Sequence, residues 1–64
     1  MRVPNRIADF REDMDISREH LANLAKVTQR AIGYYEKGEK APTVVTAILI
    51  ARALKTTVEE LFIV

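Results

Sequence analysis

Apolar residues recur at intervals of three and four in five short stretches of the chain, and each stretch is preceded by a residue suited to a helix start. The first follows Pro4 and Asn5, where Ile7, Phe10 and Met14 share a helical face and predict a helix over residues 6–14. Asp15 and Ile16 read as a turn, and Ser17 reads as the next N-cap, its hydroxyl accepting from the free amides of the first turn. Ile16 before this cap and Leu21 after it match a hydrophobic staple, and Leu24 and Ala25 continue the stripe. Eleven residues on, Thr28 repeats the grammar, with Val27 and Ile32 as the second staple. This third helix spans about residues 28–37 and stops at Gly38, a residue suited to the left-handed position after a helix.

Only Lys26 and Val27 separate the second and third helices, and so short a connection turns one sharply away from the other. That is the geometry of a helix-turn-helix. After the polar loop of residues 39–42, Thr43 opens a fourth helix reaching Ala53 or Leu54. Thr57 with Glu60 three residues later forms a capping-box pattern at the head of a short fifth. No stretch alternates with a period of two, and no hairpin dipeptide such as Asn-Gly occurs. The organisation is therefore all-α, a compact five-helix single domain over residues 1–64 without repeats or low-complexity tracts.

Composition narrows the classes. A chain of 64 residues buries only about 60% of its unfolded surface, so its stability is modest. There is no cysteine, which removes disulfides and thiolate metal sites, and the single histidine, His20, removes an all-histidine site. A hydrophobic content of 48% argues for a folded domain rather than a disordered tail. Residues 1–9 are too polar for a signal peptide, and no apolar run approaches the roughly 18 residues of a membrane span. A soluble cytoplasmic protein is expected, with no membrane contact. The net charge of +1 says little alone, but residues 1–16 carry −1, residues 17–40 carry +2 and residues 41–64 carry zero. No Ser, Cys or Asp is placed by motif to work with His20, Glu59 and Glu60 are explained by capping, and no phosphate-cradling glycine loop exists. No enzyme activity, catalytic residue, cofactor, metal or small-molecule effector site is expected.

On the third helix Val27, Ala31, Ile32 and Tyr35 line the inner face, leaving Thr28, Gln29, Arg30, Gly33, Tyr34 and Lys37 outside. In a helix-turn-helix the first residues of the second helix reach base edges. Here those are Gln29, which can pair bidentately with adenine, and Arg30, which can do so with guanine. Tyr34 is either a contact to sugar or a thymine methyl, or an ordinary half-exposed tyrosine. Gly33 costs roughly 1 kcal/mol relative to alanine in mid-helix; it marks either close approach of DNA or tolerated drift. Arg18, Thr28, Lys37 and Lys40 are the candidates for the DNA backbone, Arg18 because it opens a helix whose free amides already favour an anion.

Taken in order, the run from Ile16 to Ala25, the segment Val27-Thr28-Gln29-Arg30-Ala31-Ile32, the segment Tyr35-Glu36-Lys37-Gly38, Pro42, and the closing Val58 to Phe62 resemble the Cro/C1-type helix-turn-helix family. This family includes the lambda repressor-like domains and the xenobiotic response element-type regulators. The resemblance implies a lambda repressor-like fold and a sequence-specific regulator of transcription, a repressor by expectation, that binds double-stranded DNA. By it Gln29, Arg30 and Tyr34 match base-facing positions, Arg18 a polar residue that contacts phosphate or a flanking base, and Glu36 an acidic residue of structural role. Lys26 and Lys55 depart from the glycines common at those turns, and Gly33 from a common serine.

The predicted fourth helix is apolar almost all round, more than a five-helix domain can bury. Relatives tend to carry charge where this chain has Val45 and Leu49, and the chain runs on through Phe62, Ile63 and Val64. A homodimer through Phe62, Ile63, Val45 and Leu49 is expected, which would match a pseudo-palindromic operator. The alternative is an antitoxin-like or anti-repressor module of the same fold, for which the low net charge also speaks and whose main partner is another regulatory protein.

Overall fold

The computed structural model describes residues 3–62. Among these residues five helices follow one another: α1 (Ile7–Asp13), α2 (Arg18–Ala25), α3 (Gln29–Lys37), α4 (Val44–Ala53) and α5 (Val58–Leu61). Four start as the side-chain grammar predicts. The hydroxyls of Ser17, Thr28, Thr43 and Thr57 accept from the backbone N–H three residues on, at 3.0, 3.1, 3.2 and 3.2 Å. Each such cap contributes about 1 kcal/mol.

The α5 start differs only in the return half of its box, and the α1 start in its cap. At α5 the reciprocal half of the capping box is replaced: the Thr56 hydroxyl donates to the Glu60 carboxylate at 3.4 Å. At α1 the N-cap position belongs to Arg6, which makes no side-chain cap. Asn5 caps from one position earlier, its Oδ1 accepting from the Ile7 N–H at 3.1 Å.

The helices end alike. Asp15, Lys26, Gly38 and Lys55 all take the left-handed conformation, with φ of 58°, 60°, 76° and 56°. At each, the residue itself donates to the carbonyl three back and its successor donates to the carbonyl five back. That is the Schellman closure, used four times. Lysine thus keeps the turn where glycine is common, at about 1–2 kcal/mol for each left-handed residue. Gly38 alone is fixed by space as well as φ, because a Cβ there would lie 2.8 Å from the carbonyl oxygen of Val3.

Each helix places one large, fully buried apolar side chain at the centre: Ile7, Leu21, Ile32, Ile50 and Leu61. Full burial of such a residue is worth about 1.5–3 kcal/mol. Leu21 and Ile32 each sit four residues past a capping hydroxyl, and their staple partners Ile16 and Val27 pack on the same core. Residues 3–6 then tie the two ends of the chain to α3. Val3 N–H donates to Gly38 O at 2.9 Å and Arg6 N–H to Leu61 O at 2.7 Å. Asn5 Nδ2 donates to Tyr35 O at 2.7 Å, and Asn5 forms an isolated antiparallel bridge with Phe62. Among the described residues no helix is long and apolar enough to cross a membrane.

Candidate nucleic-acid interface

The tight turn at Lys26 sends α3 off at an angle to α2, and their shared outer side forms an open cleft of about 480 Å³. Six residues line it: Arg18, Gln29, Arg30, Gly33, Tyr34 and Lys37. Five of these come from α3 and one from the first position of α2. The division follows from helical spacing. Ile32 is fully buried, Val27 and Tyr35 pack against the core, and Ala31 is half-buried. The residues between them are therefore turned outward, and Gln29 and Arg30 are both exposed.

Thr28 is exposed beside the cleft, its oxygen occupied as the α3 cap. At Gly33 an added Cβ would meet nothing within 4 Å. No packing among the described residues therefore demands glycine there. Tyr34 is half-buried, and Lys40 lies over its ring with Nζ 4.7 Å from the centroid. A cation over a tyrosine face is worth about 0.5–1 kcal/mol at an exposed site. Lys40 therefore covers the tyrosine ring rather than lining the cleft itself.

Behind the cleft lies an ion-pair cluster that spacing along the chain does not reveal. Glu36 has only 4% of its side chain exposed and receives Arg11 Nε at 2.6 Å and Arg18 Nε at 2.9 Å. Arg11 adds Nη2 to Glu36 at 3.4 Å and Nη1 to the Ile16 carbonyl at 2.9 Å. The hydrogen bond to Glu36, and then its charge and that of Glu12, push the Arg11 pKa up against the opposing effect of burial. A raised pKa keeps this guanidinium charged, so its contribution is fully present across ordinary pH. Breaking one partner from a buried pair costs about 3–5 kcal/mol, which makes Glu36 a fastening between α1, α2 and α3. Sequence reasoning assigned Glu36 a structural role and missed Arg11, whose partner lies 25 residues away. It also missed Asn5 as the tie to α3.

The residues expected on the dimer surface scatter more. Val45 is 68% exposed and its neighbour Val44 is 76% exposed. Leu49 is half-buried and packs on the core, as does Phe62. Ile63 lies outside the described residues. Ile48 is exposed and extends the α4 stripe in place of Leu49. Next to it is an apolar cleft of about 260 Å³ lined by Val3, Ala41, Pro42, Val44, Ala47, Val58 and Phe62. Among the described residues no cluster of three His, Cys, Asp or Glu residues could hold a metal.

Comparison with known proteins agrees with this geometry. The helix-turn-helix family model matches residues 7–61. An HTH-type transcriptional regulator of Archaeoglobus fulgidus is 34% identical over 58 residues, covering 91% of this chain and 82% of that protein. Another, from Methanothermobacter thermautotrophicus, is 36% identical over 58 residues, with 89% and 84% covered. Among solved structures, the restriction-modification controller protein C.AhdI from Aeromonas hydrophila has a TM-score of 0.82 at 30% identity, covering 89% of this chain and 86% of that one. The P22 c2 repressor, solved with a synthetic operator, also has a TM-score of 0.82, at 24% identity with 84% and 82% covered. At that identity the second likeness is one of fold. The capped α2–α3 pair, the five-helix core and these relatives lead to one assignment: the chain belongs to the helix-turn-helix family as a Cro/C1-type, lambda repressor-like transcriptional regulator, a DNA-binding class without enzymatic activity.

Proposed function

We propose that this protein binds a pseudo-palindromic DNA operator as a homodimer and represses transcription in the cytoplasm, with α3 in the major groove. The observation that carries the reading is the single cleft gathering Arg18, Gln29, Arg30, Gly33, Tyr34 and Lys37. Gln29 and Arg30 are the base readers, for adenine and guanine, and Tyr34 packs on sugar or a thymine methyl. Arg18, Thr28, Lys37 and Lys40 hold the phosphates and fix the register. The domain measures 26 × 21 × 20 Å, less than the roughly 34 Å of one DNA turn, so one copy covers one half-site and a second copy reads the next. The exposed Val44, Val45 and Ile48 supply an apolar surface for that second copy.

Selection of bound duplexes from a random pool, followed by titration against salt, tests the reading. The expected outcome is a two-fold symmetric site whose log affinity falls with log salt at about −0.9 per phosphate neutralised. Failure to enrich any sequence, or binding insensitive to salt, would overturn it. The apolar α4 face serves a second reading as well, an antitoxin-like or anti-repressor module whose main contact is another protein. That reading gains if the same titration fails while a protein partner binds with Val44 and Val45 at its interface.

A further inference from the structure

Arg18 faces two ways. Its Nε–H is committed to Glu36 Oε1 at 2.9 Å, yet half its side chain, 51%, is exposed and it lines the α2–α3 cleft. A guanidinium has five N–H donors in a rigid fork, so a bond through Nε leaves the Nη1 and Nη2 groups for another partner. Glu36 is itself held in place, because Arg11 donates to both of its oxygens and to the Ile16 carbonyl. The carboxylate therefore fixes where the outer end of Arg18 points.

We infer that Glu36 is a positioning residue for DNA binding: it holds Arg18 by Nε so that the Nη1–Nη2 end is presented to one phosphodiester at the rim of the cleft. The inference rests on the DNA-binding reading above. Electrostatics alone gives Glu36 the opposite sign, since a carboxylate near a polyanion weakens attraction. Its value to binding lies in geometry. The three charges Arg11, Glu36 and Arg18 still sum to +1, so the attraction is reduced but not cancelled. A phosphate accepting a two-pronged guanidinium then meets a side chain whose rotamers are already restricted.

Lysine makes a sharp probe, because one ammonium can serve Glu36 or the phosphate but lacks the second edge needed to serve both in one geometry. Arg18→Lys keeps the charge and leaves the Arg11–Glu36 pair intact, so the fold is not at stake. Affinity for the selected operator is measured for the wild type, Arg18→Lys, Arg18→Ala, Glu36→Gln and the Glu36→Gln/Arg18→Ala double variant, with thermal melts of each. Arg18→Lys should bind about two- to tenfold more weakly than wild type, close to Arg18→Ala. Glu36→Gln should weaken binding in the Arg18 background and add no loss in the Arg18→Ala background. The inference is overturned if Arg18→Lys binds like wild type, if Glu36→Gln tightens binding, or if Glu36→Gln loses the same factor in both backgrounds. Absence of wild-type binding to every duplex overturns the DNA reading and this inference with it, and is told apart because it appears without any substitution.

Discussion

The outer sides of α3 and α4 belong to helices of nearly equal length, nine and ten residues, and both face solvent, but they are built in opposite ways. On α3 the outward residues are polar, and those around them are restrained: Thr28 caps, Lys40 covers Tyr34, and Glu36 holds Arg18. On α4 the outward residues include Val44, Val45 and Ile48. A surface of restrained donors suits a charged, hydrogen-bonding polymer, because the entropy of fixing the side chains is already spent. A valine face gains nothing from such a partner. It gains from another apolar surface, and left in water it forfeits that energy.

Replacing both valines tests this division most strongly. Val44→Lys with Val45→Lys should weaken dimerisation by up to about 3–6 kcal/mol, the value of fully burying two such side chains. Neither residue is in the core, but both stand in the first turn of α4, where a lysine opposes the helix dipole, so monomer stability should fall by no more than about 1–2 kcal/mol. Sedimentation measures the first and a thermal melt the second. An unaltered association constant would place the dimer surface elsewhere, and a large loss of stability would mean the α4 face is packed within the chain.

Next in size are the base readers. Gln29→Ala or Arg30→Ala should each cost about 1–3 kcal/mol on the selected operator and relax preference at one base position. Folding stability should stay within about 0.5 kcal/mol, as both side chains are exposed. Equal losses on every sequence would mean that these residues hold phosphate and that the reading of bases lies with other members of the cleft.

The same two helices mark how far the sequence could be read. The face of α3 was legible because polar and apolar residues alternate with its helical period, so Ile32 inside implied Gln29 and Arg30 outside. On α4 both inner and outer positions are apolar, and periodicity cannot rank Leu49, which packs on the core, below Ile48, which does not. Helix starts were legible because a capping hydroxyl acts locally. Helix ends were less so: all four long helices close in the same left-handed way, but only Gly38 announces it, since only there does the Val3 backbone exclude a side chain. The Arg11–Glu36–Arg18 cluster was out of reach because it joins three helices, and no local pattern sets a pairing across 25 residues.

Gly33 divides the two faces most finely, because one methyl group should act in opposite directions on folding and on binding. Alanine is worth up to about 1 kcal/mol over glycine inside a helix, and among the described residues nothing outside the helix's own backbone lies within 4 Å of the added Cβ. Gly33→Ala should therefore raise the melting temperature, by roughly 4–8 °C for each kcal/mol gained. If a duplex seats closely on α3, the same methyl intrudes between helix and DNA and affinity falls while stability rises. A variant that melts higher and binds as well as before would show that DNA does not approach α3 at its midpoint. The contact would then be confined to the Gln29–Arg30 end, and the glycine would reflect tolerance rather than fit.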